Sequence, residues 1–541
     1  MTASSFRLAL AQANPTLGDV AGNADLVRAA RREAARAGAD LVLFPELMLA
    51  GGQPAGLTLV PAFQDACRRS CEALARETAD GGPAVLLGLP WVEDGRIYNA
   101  LALLDGGVIQ AVRFKVRLDV DGADDEARVF SPGPLPGPVP FRGRVRLGLV
   151  IGGDIADEEV AECLAETGAE MLLVADASAY RRGSGDVRMN VAVARVVETG
   201  LPLVWLNAVG GQDEQILDGA SFALGHERNL TLQLPAFAEA LAVMPWSRER
   251  GAWRCETREI APVPTADAAD YAACVLGLRD HVRRTGTAGI LLALGGLDSA
   301  LAAMMAVDAV GPERVCAIML ASSGGEEREQ AESQAFAQTL GIPCRVVPIA
   351  PLGALLAETL GEGIYATGAA LAAARGALLT ALAAQESRTL LSEATAASAP
   401  LVDVFDPVRP FSETEIARLC ELRQGWKPAG ALGRDGAIVP AAWLAQRPDP
   451  QRDEILSALG LGRRVAEIVA DGHARQTVMA LQEELRHRRR ARLGPAGVRL
   501  TDEGPRQPPR HGFVDSGEPV HEPDAALVRG VGRNGGESID F

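Results

Sequence analysis

The sequence lacks any apolar run approaching the ~20 residues that a membrane helix needs; its longer ones, such as 41–44 and 290–294, are strand-sized. It opens MTASSFRLALAQ, without a basic stretch leading into a long apolar one, so no signal peptide is expected. An excess of positive charge is missing too: 53 Lys plus Arg face 70 Asp plus Glu, a formal net charge of −17. That balance argues against a general nucleic-acid binder, which needs a basic face for phosphates. Eight cysteines are scattered, and the close pair Cys67 and Cys71 has helical spacing with no second pair or histidine to complete a zinc site. The six histidines show no metal-ligand spacing. No fixed-period repeat is apparent. These absences lead to the expectation of a soluble cytoplasmic protein with neither membrane nor nucleic-acid partners.

What remains is ample for large cores. The chain has 541 residues, 48% apolar and 23% charged, which suggests two to four domains. Up to about residue 245, short apolar runs alternate with amphipathic helices. Residues 7–11, 41–44, 85–89, 100–104, 145–151, 171–174 and 203–207 read as strands, and 23–37 reads as a helix stopped by Gly38. Residues 246–270 lose this periodicity and carry charges and prolines, so a linker is expected there. A second α/β pattern starts at Tyr271, with strands at 290–294, 315–320 and 344–349, and runs to about 494. From Pro495 onward, 14 of 47 residues are Gly or Pro, and an irregular tail is expected. The basic run 486–492 (RHRRRAR) reads as a solvated helix end.

Five segments of the first region carry a resemblance: LALAQANPTLGDVAGN (8–23), LVLFPELMLAG (41–51), YNALALLDGG (98–107), DEARVFSPGPLPG (125–137) and NAVGGQDEQILDGASF (207–222). They resemble the nitrilase/amidase superfamily, specifically the glutaminase half of glutamine-dependent NAD synthetases. The resemblance implies an α-β-β-α sandwich and a Glu, Lys and Cys chemistry. A thiolate attacks the amide carbonyl, a carboxylate shuttles protons, and an ammonium stabilises the oxyanion. Glu46 matches the base, and Lys115, in RFKVRLDV (113–120), matches the lysine. Without the motif, Glu46 would read as a solvated strand end and Lys115 as a surface lysine. The nucleophile departs from the pattern. In LGLVIGGDIADEE (147–159), Gly152 stands at the cysteine and Gly153 at the following glutamate, while Asp154 is kept. Cys163 lies eleven residues on, roughly 16 Å along a helix, too far to substitute. The glutaminase is expected to be inactive.

The region from Tyr271 resembles the synthetase half of the same family, an ATP-pyrophosphatase of the adenine-nucleotide α-hydrolase fold. YAACVLGLRDHVRRTG (271–286) resembles its entry helix, and GILLALGGLDSALAAMMAVDAVGPERV (289–315) its pyrophosphate loop and helix. Of that loop's Ser-Gly-Gly-x-Asp-Ser, Gly295, Gly296, Asp298 and Ser299 remain and the leading Ser is gone. Such glycines let backbone amides approach phosphates; a tight capped turn would use the same residues. The segment 368–382 keeps Arg375 and Gly376 of a ligand-contacting helix but loses its Asn and first Arg. The stretch 390–405 lacks a Gly-Asn-Lys core. Glu413 stands where the family has lysine, and 321–327 (ASSGGEE) is acidic where the family is basic.

The resemblance implies ATP and Mg²⁺ as cofactors, with glutamine and deamido-NAD as ligands. It further implies a homo-oligomer, or a hetero-oligomer with an active relative. With losses concentrated at chemical positions, the expectation is a pseudoenzyme of binding, assembly or regulatory role. The alternative is an active ammonia-dependent synthetase or another adenylating ligase.

Overall fold

The computed structural model describes all residues except 1–4, 53–54, 119–125, 213, 322–326, 361–363, 392–401, 446–448, 491–495 and 498–541. Contacts divide the chain into two units, with the boundary between Pro264 and Thr265.

In the first unit the chain runs through β1 (Ser5–Gln12), α1 (Val20–Arg36), β2 (Leu41–Leu43), α2 (Pro61–Glu77), β3 (Ala84–Glu93), β4 (Arg96–Asp105) and β5 (Val108–Phe114). It continues with β6 (Val139–Phe141), β7 (Val145–Ile151), α3 (Glu158–Glu166), β8 (Met171–Asp176), α4 (Ser184–Thr199) and β9 (Leu203–Asn207). A hairpin of β10 (Val209–Gln212) and β11 (Gln215–Asp218) precedes β12 (Phe222–Leu224), β13 (Leu230–Gln233), β14 (Ala240–Glu249) and β15 (Ala252–Cys255). One sheet has the order β15-β14-β1-β2-β3-β4-β5 and the other β13-β12-β9-β8-β7-β6.

Alternation along the strands builds the layers, because successive side chains point to opposite faces. Leu8, Leu10, Leu43 and Leu86 meet Leu149, Leu173 and Val204 of the other sheet. Ala9, Val42, Val85 and Leu87 point the opposite way, onto Val27 of α1 and Leu74 of α2. Val150, Val174 and Trp205 pack on Leu164 of α3 and Val196 of α4. The result is the expected α-β-β-α sandwich.

The stretch 246–270 is not the expected linker. It holds the end of β14, all of β15 and the start of the next helix. Trp246 and Trp253 are fully buried there and anchor β14 and β15 into the core between the sheets. Charges on the outward positions had hidden that pattern.

The second unit begins with α5 (Ala266–Thr285), β16 (Ile290–Ala293), α6 (Leu297–Val310), β17 (Val315–Ala321), α7 (Glu327–Leu340) and β18 (Cys344–Pro348). Next come α8 (Ala350–Leu360), α9 (Ile364–Gln385), β19 (Thr389–Leu391), β20 (Val404–Asp406) and α10 (Glu413–Arg423). Four further helices follow: α11 (Ala441–Leu444), α12 (Pro450–Gly460), α13 (Val465–Ala470) and α14 (Arg475–Arg490). The sheet order is β18-β17-β16-β19-β20-β21, every pair parallel, where β21 is Ala496–Gly497. That short strand falls inside the tail expected to be irregular; the rest of the tail lies outside the described residues. The order doubles back at β16 and β19, so this is a doubly wound sheet with its switch point between those strands.

Three helices of this unit are joined by a buried ion pair. Arg423 of α10 donates two hydrogen bonds to the Asp308 carboxylate of α6, at 2.7 and 2.8 Å. The Tyr271 hydroxyl of α5 donates to the same carboxylate at 2.7 Å. Both charged side chains are 1% exposed. Removing one partner of such a pair leaves the other buried and uncompensated, at a cost of about 3–5 kcal/mol. Arg423→Met is therefore expected to lower the unfolding free energy of the second unit by that order, read as a lower midpoint at unchanged slope in urea denaturation.

Candidate functional site

In the first unit, strand ends converge on one buried centre. Glu46 follows the end of β2, Lys115 follows β5, and Gly152 follows β7. The Lys115 ammonium donates to Glu46 Oε1 at 3.0 Å and to Glu126 Oε1 at 2.9 Å. Asn99 Nδ2, on β4, donates to the same two oxygens at 2.7 and 3.3 Å. Asp154 accepts backbone N–H groups from Val116 at 3.0 Å and Arg117 at 2.7 Å, tying the end of β7 to the segment after Lys115. Glu46 and Lys115 are each 3% exposed, so neither is the solvated charge that an isolated reading would give.

Gly152 adjoins this centre. A Cβ built on it would stand 2.5 Å from Glu46 Oε2, and its φ is +50°, the left-handed region that favours glycine. A nucleophile carried at this position would therefore emerge directly against the base. Cys163, on α3, instead has its Sγ 3.7 Å from the Pro136 carbonyl oxygen.

Burial pushes the Glu46 carboxyl up to about 7; Lys115 opposes the rise, while Glu126 and Asp176 add to it. Burial works to lower Lys115, but the Glu46 and Glu126 carboxylates outweigh it and raise its pKa. Burial likewise lifts Asp154 to about 6, against its hydrogen bonds from Arg117 and Val116. The structure brings Glu46, Lys115 and Gly152 together, and adds Glu126 and Asn99, which the sequence did not single out. Both lie inside segments that carried the resemblance, DEARVF and YNALAL.

The second unit has its own site at the switch point. Leu294–Gly296 join β16 to α6, and a cavity of about 290 Å³ opens beside them. Leu292, Leu379, Leu390, Leu391 and Val408 give it apolar walls, with Ser299, Arg375 and Asp406 as polar lining. The Gly295 N–H donates to Ser299 Oγ at 2.9 Å, and that hydroxyl donates to the Gly296 carbonyl at 3.0 Å. Of the expected residues, Ser299 and Arg375 border this space; Gly295 and Gly296 do not line it, and Asp298 is exposed in the first turn of α6. Burial raises Asp406 to about 6, and the Asp298 charge contributes to that rise. The residues suit a nucleotide at this place, with the α6 N-terminus toward phosphate. Mg²⁺ would find Asp298 and Asp406 but needs phosphate oxygens to fill its shell. Among the described residues, no group of three or more His, Cys, Asp or Glu could hold a metal, and no helix is long and apolar enough to cross a membrane.

Two measurements probe the first centre. Gly152→Ala forces a side chain into the left-handed region and against Glu46, and is expected to cost about 1–3 kcal/mol in thermal or urea unfolding. Glu46 binds its proton more tightly folded than unfolded, where its ordinary value is 4.5. Its contribution is therefore complete below that pH and is lost as pH rises through about 7. The Glu46→Gln variant is expected to flatten the fall in stability across this window by at most ~1.4 kcal/mol per pH unit.

The profile of the carbon-nitrogen hydrolase family matches residues 7–251, and that of NAD synthase matches residues 270–401. The glutamine-dependent NAD(+) synthetase of Rhodobacter capsulatus is 34% identical over 513 residues, covering 89% of this chain and 93% of that protein. The Synechocystis enzyme of the same name is 27% identical, covering 92% and 96%. The structure of glutamine-dependent NAD+ synthetase from Acinetobacter baumannii in complex with ADP superposes with a TM-score of 0.75 at 26% identity, covering 95% of this chain and 99% of that one. With a carbon-nitrogen hydrolase sandwich followed by a parallel NAD synthase sheet along nearly the whole length of these relatives, the chain belongs to the glutamine-dependent NAD synthetase family.

Proposed function

We propose that this chain is a family member without thioester glutaminase chemistry, acting as a binding, assembly or regulatory protein. It would work as a homo-oligomer or together with an active relative, in the cytoplasm. The observation that carries the reading is Gly152, which faces Glu46 at the position of the nucleophile. Hydrolysis by this family's route needs a thiolate to attack the carboxamide carbon, form a thioester and release ammonia. A hydrogen atom offers no electron pair for that bond. Glu46, Lys115 and Glu126 remain, bonded to one another.

A second reading is favoured by one observation: the Gly295–Ser299 turn and its adjoining cavity at the switch point. On that reading the second unit amidates deamido-NAD with ATP, Mg²⁺ and free ammonia. Retention of Asp298 and Ser299 supports it. Glu413 opposes it by placing a carboxylate where the family has a cation.

Ammonia release from glutamine tests the first proposal. The wild-type chain is expected to release none, while Gly152→Cys gains a glutamyl adduct visible by intact mass. Ammonia from the wild type at a rate above that of buffer overturns the proposal. Incubation with deamido-NAD, ATP, Mg²⁺ and ammonium chloride tests the second reading: NAD formation establishes it in place of the pseudoenzyme, and none discards it.

A further inference from the structure

We propose that Asn99 is a positioning residue of the first centre: it holds Oε1 of Glu46 toward Lys115 and leaves Oε2, facing position 152, as the oxygen that takes up a proton. The role concerns the charged groups themselves and does not depend on whether position 152 carries a nucleophile.

An unpaired atom points to this role. Asn99 is fully buried on β4, and its Oδ1 accepts no hydrogen bond among the described residues. A buried acceptor left without a donor is destabilising, and each one in a folded protein needs a reason. A leucine of the same branched shape would occupy the place without that penalty. Turning the amide over gives no relief, because Oδ1 would then face the Glu46 and Glu126 carboxylates and Nδ2 would lose both acceptors. What the asparagine supplies is therefore its two N–H groups, one to Glu46 Oε1 at 2.7 Å and one to Glu126 Oε1 at 3.3 Å.

Those bonds fall on oxygens that the lysine also uses. Lys115 Nζ donates to the same Glu46 Oε1 at 3.0 Å and the same Glu126 Oε1 at 2.9 Å. Two donors thus converge on Glu46 Oε1, and a proton added there would displace one of them. Oε2 receives neither, and it lies 2.5 Å from where a Cβ at position 152 would stand. The new O–H bond therefore forms at Oε2. Oε1 then becomes the carbonyl oxygen and keeps both N–H bonds, so proton uptake disturbs neither Lys115 nor Asn99.

The other carboxylates around Glu46 have donors of their own. Glu126 is held by Lys115 through both oxygens. Asp176, at the end of β8, accepts from Ser178 at 2.6 Å and Trp205 at 2.9 Å. Asp154, past β7, accepts from the Val116 and Arg117 backbone. Burial is the largest influence on the Glu46 proton, opposed by the Lys115 charge and reinforced by Glu126 and Asp176. Asn99 adds donors that favour the charged form without adding a charge.

Difference infrared spectroscopy of the full chain between about pH 5 and about pH 9 reads the proton directly, and Glu46→Gln identifies its carbonyl band. In the wild type that band is expected at the low frequency of a carbonyl that accepts hydrogen bonds, half-titrated at about 7. Asn99→Leu is expected to move it to higher frequency and raise its midpoint by about one pH unit, because donors to the charged form are lost. A purely structural asparagine would lower stability on replacement and leave the midpoint where it is. A wild-type band at the frequency of an unbonded carbonyl overturns the inference, as does the absence of any band removed by Glu46→Gln. An unchanged midpoint in a folded Asn99→Leu variant, checked by circular dichroism, overturns it too; if the variant does not fold, the wild-type band decides. No glutamine enters the measurement, so its outcome is separate from whether the chain forms a thioester.

Discussion

The ammonium of Lys115, held between the carboxylates of Glu46 and Glu126, is the interaction on which the first centre depends. None of these groups would remain charged so far from water without the others, because desolvation of a lone ion costs several kcal/mol. Pairing also fixes geometry. It joins the end of β2, the end of β5 and the short turn at Glu126–Arg128, with Asn99 of β4 spanning both carboxylates. A centre built this way does not rely on the nucleophile for its integrity. Position 152 can lack a side chain while these charged groups stay in register, since their partners are each other.

The layered fold was largely legible because its signals are local. Apolar alternation and helical spacing foreshadowed most strands and both sheets of the major layers. The tryptophan pair at 246 and 253 was not legible, because outward charges between them disguised the alternation as linker. At the site, Glu46 and Lys115 were found through motif, yet a plainer signal existed: Lys115 is one of two lysines in the whole chain, the other being Lys427. A residue type so nearly eliminated in favour of arginine marks a position where a compact ammonium is needed. Glu126 and Asn99 were missed because their roles arise across 11, 27 and 53 residues of separation, from contacts that only strand order creates.

The second unit shows the same limit from the other side. Gly295, Gly296, Asp298 and Ser299 stand together in sequence, so their loop was readable. Asp406 sits more than a hundred residues later, in a segment whose visible departure from the family is Glu413 rather than any carboxylate at the cavity. Only the parallel order, with β19 and β20 following β16 on one side, brings that residue to the cavity. The buried link of Tyr271, Asp308 and Arg423 belongs to a separate polar network, holding α5, α6 and α10 together.

The left-handed backbone at Gly152 carries an evolutionary consequence. A catalytic side chain there would hold its residue in a conformation that L-amino acids resist, so function is maintained against a standing conformational penalty. On the proposed reading, glycine removes the penalty together with the nucleophile. It also leaves Glu46 resting where a returning side chain would have to go. Reversion must therefore climb in folding energy before it regains any catalytic advantage, and the substitution behaves as a ratchet that turns more readily toward silence than back.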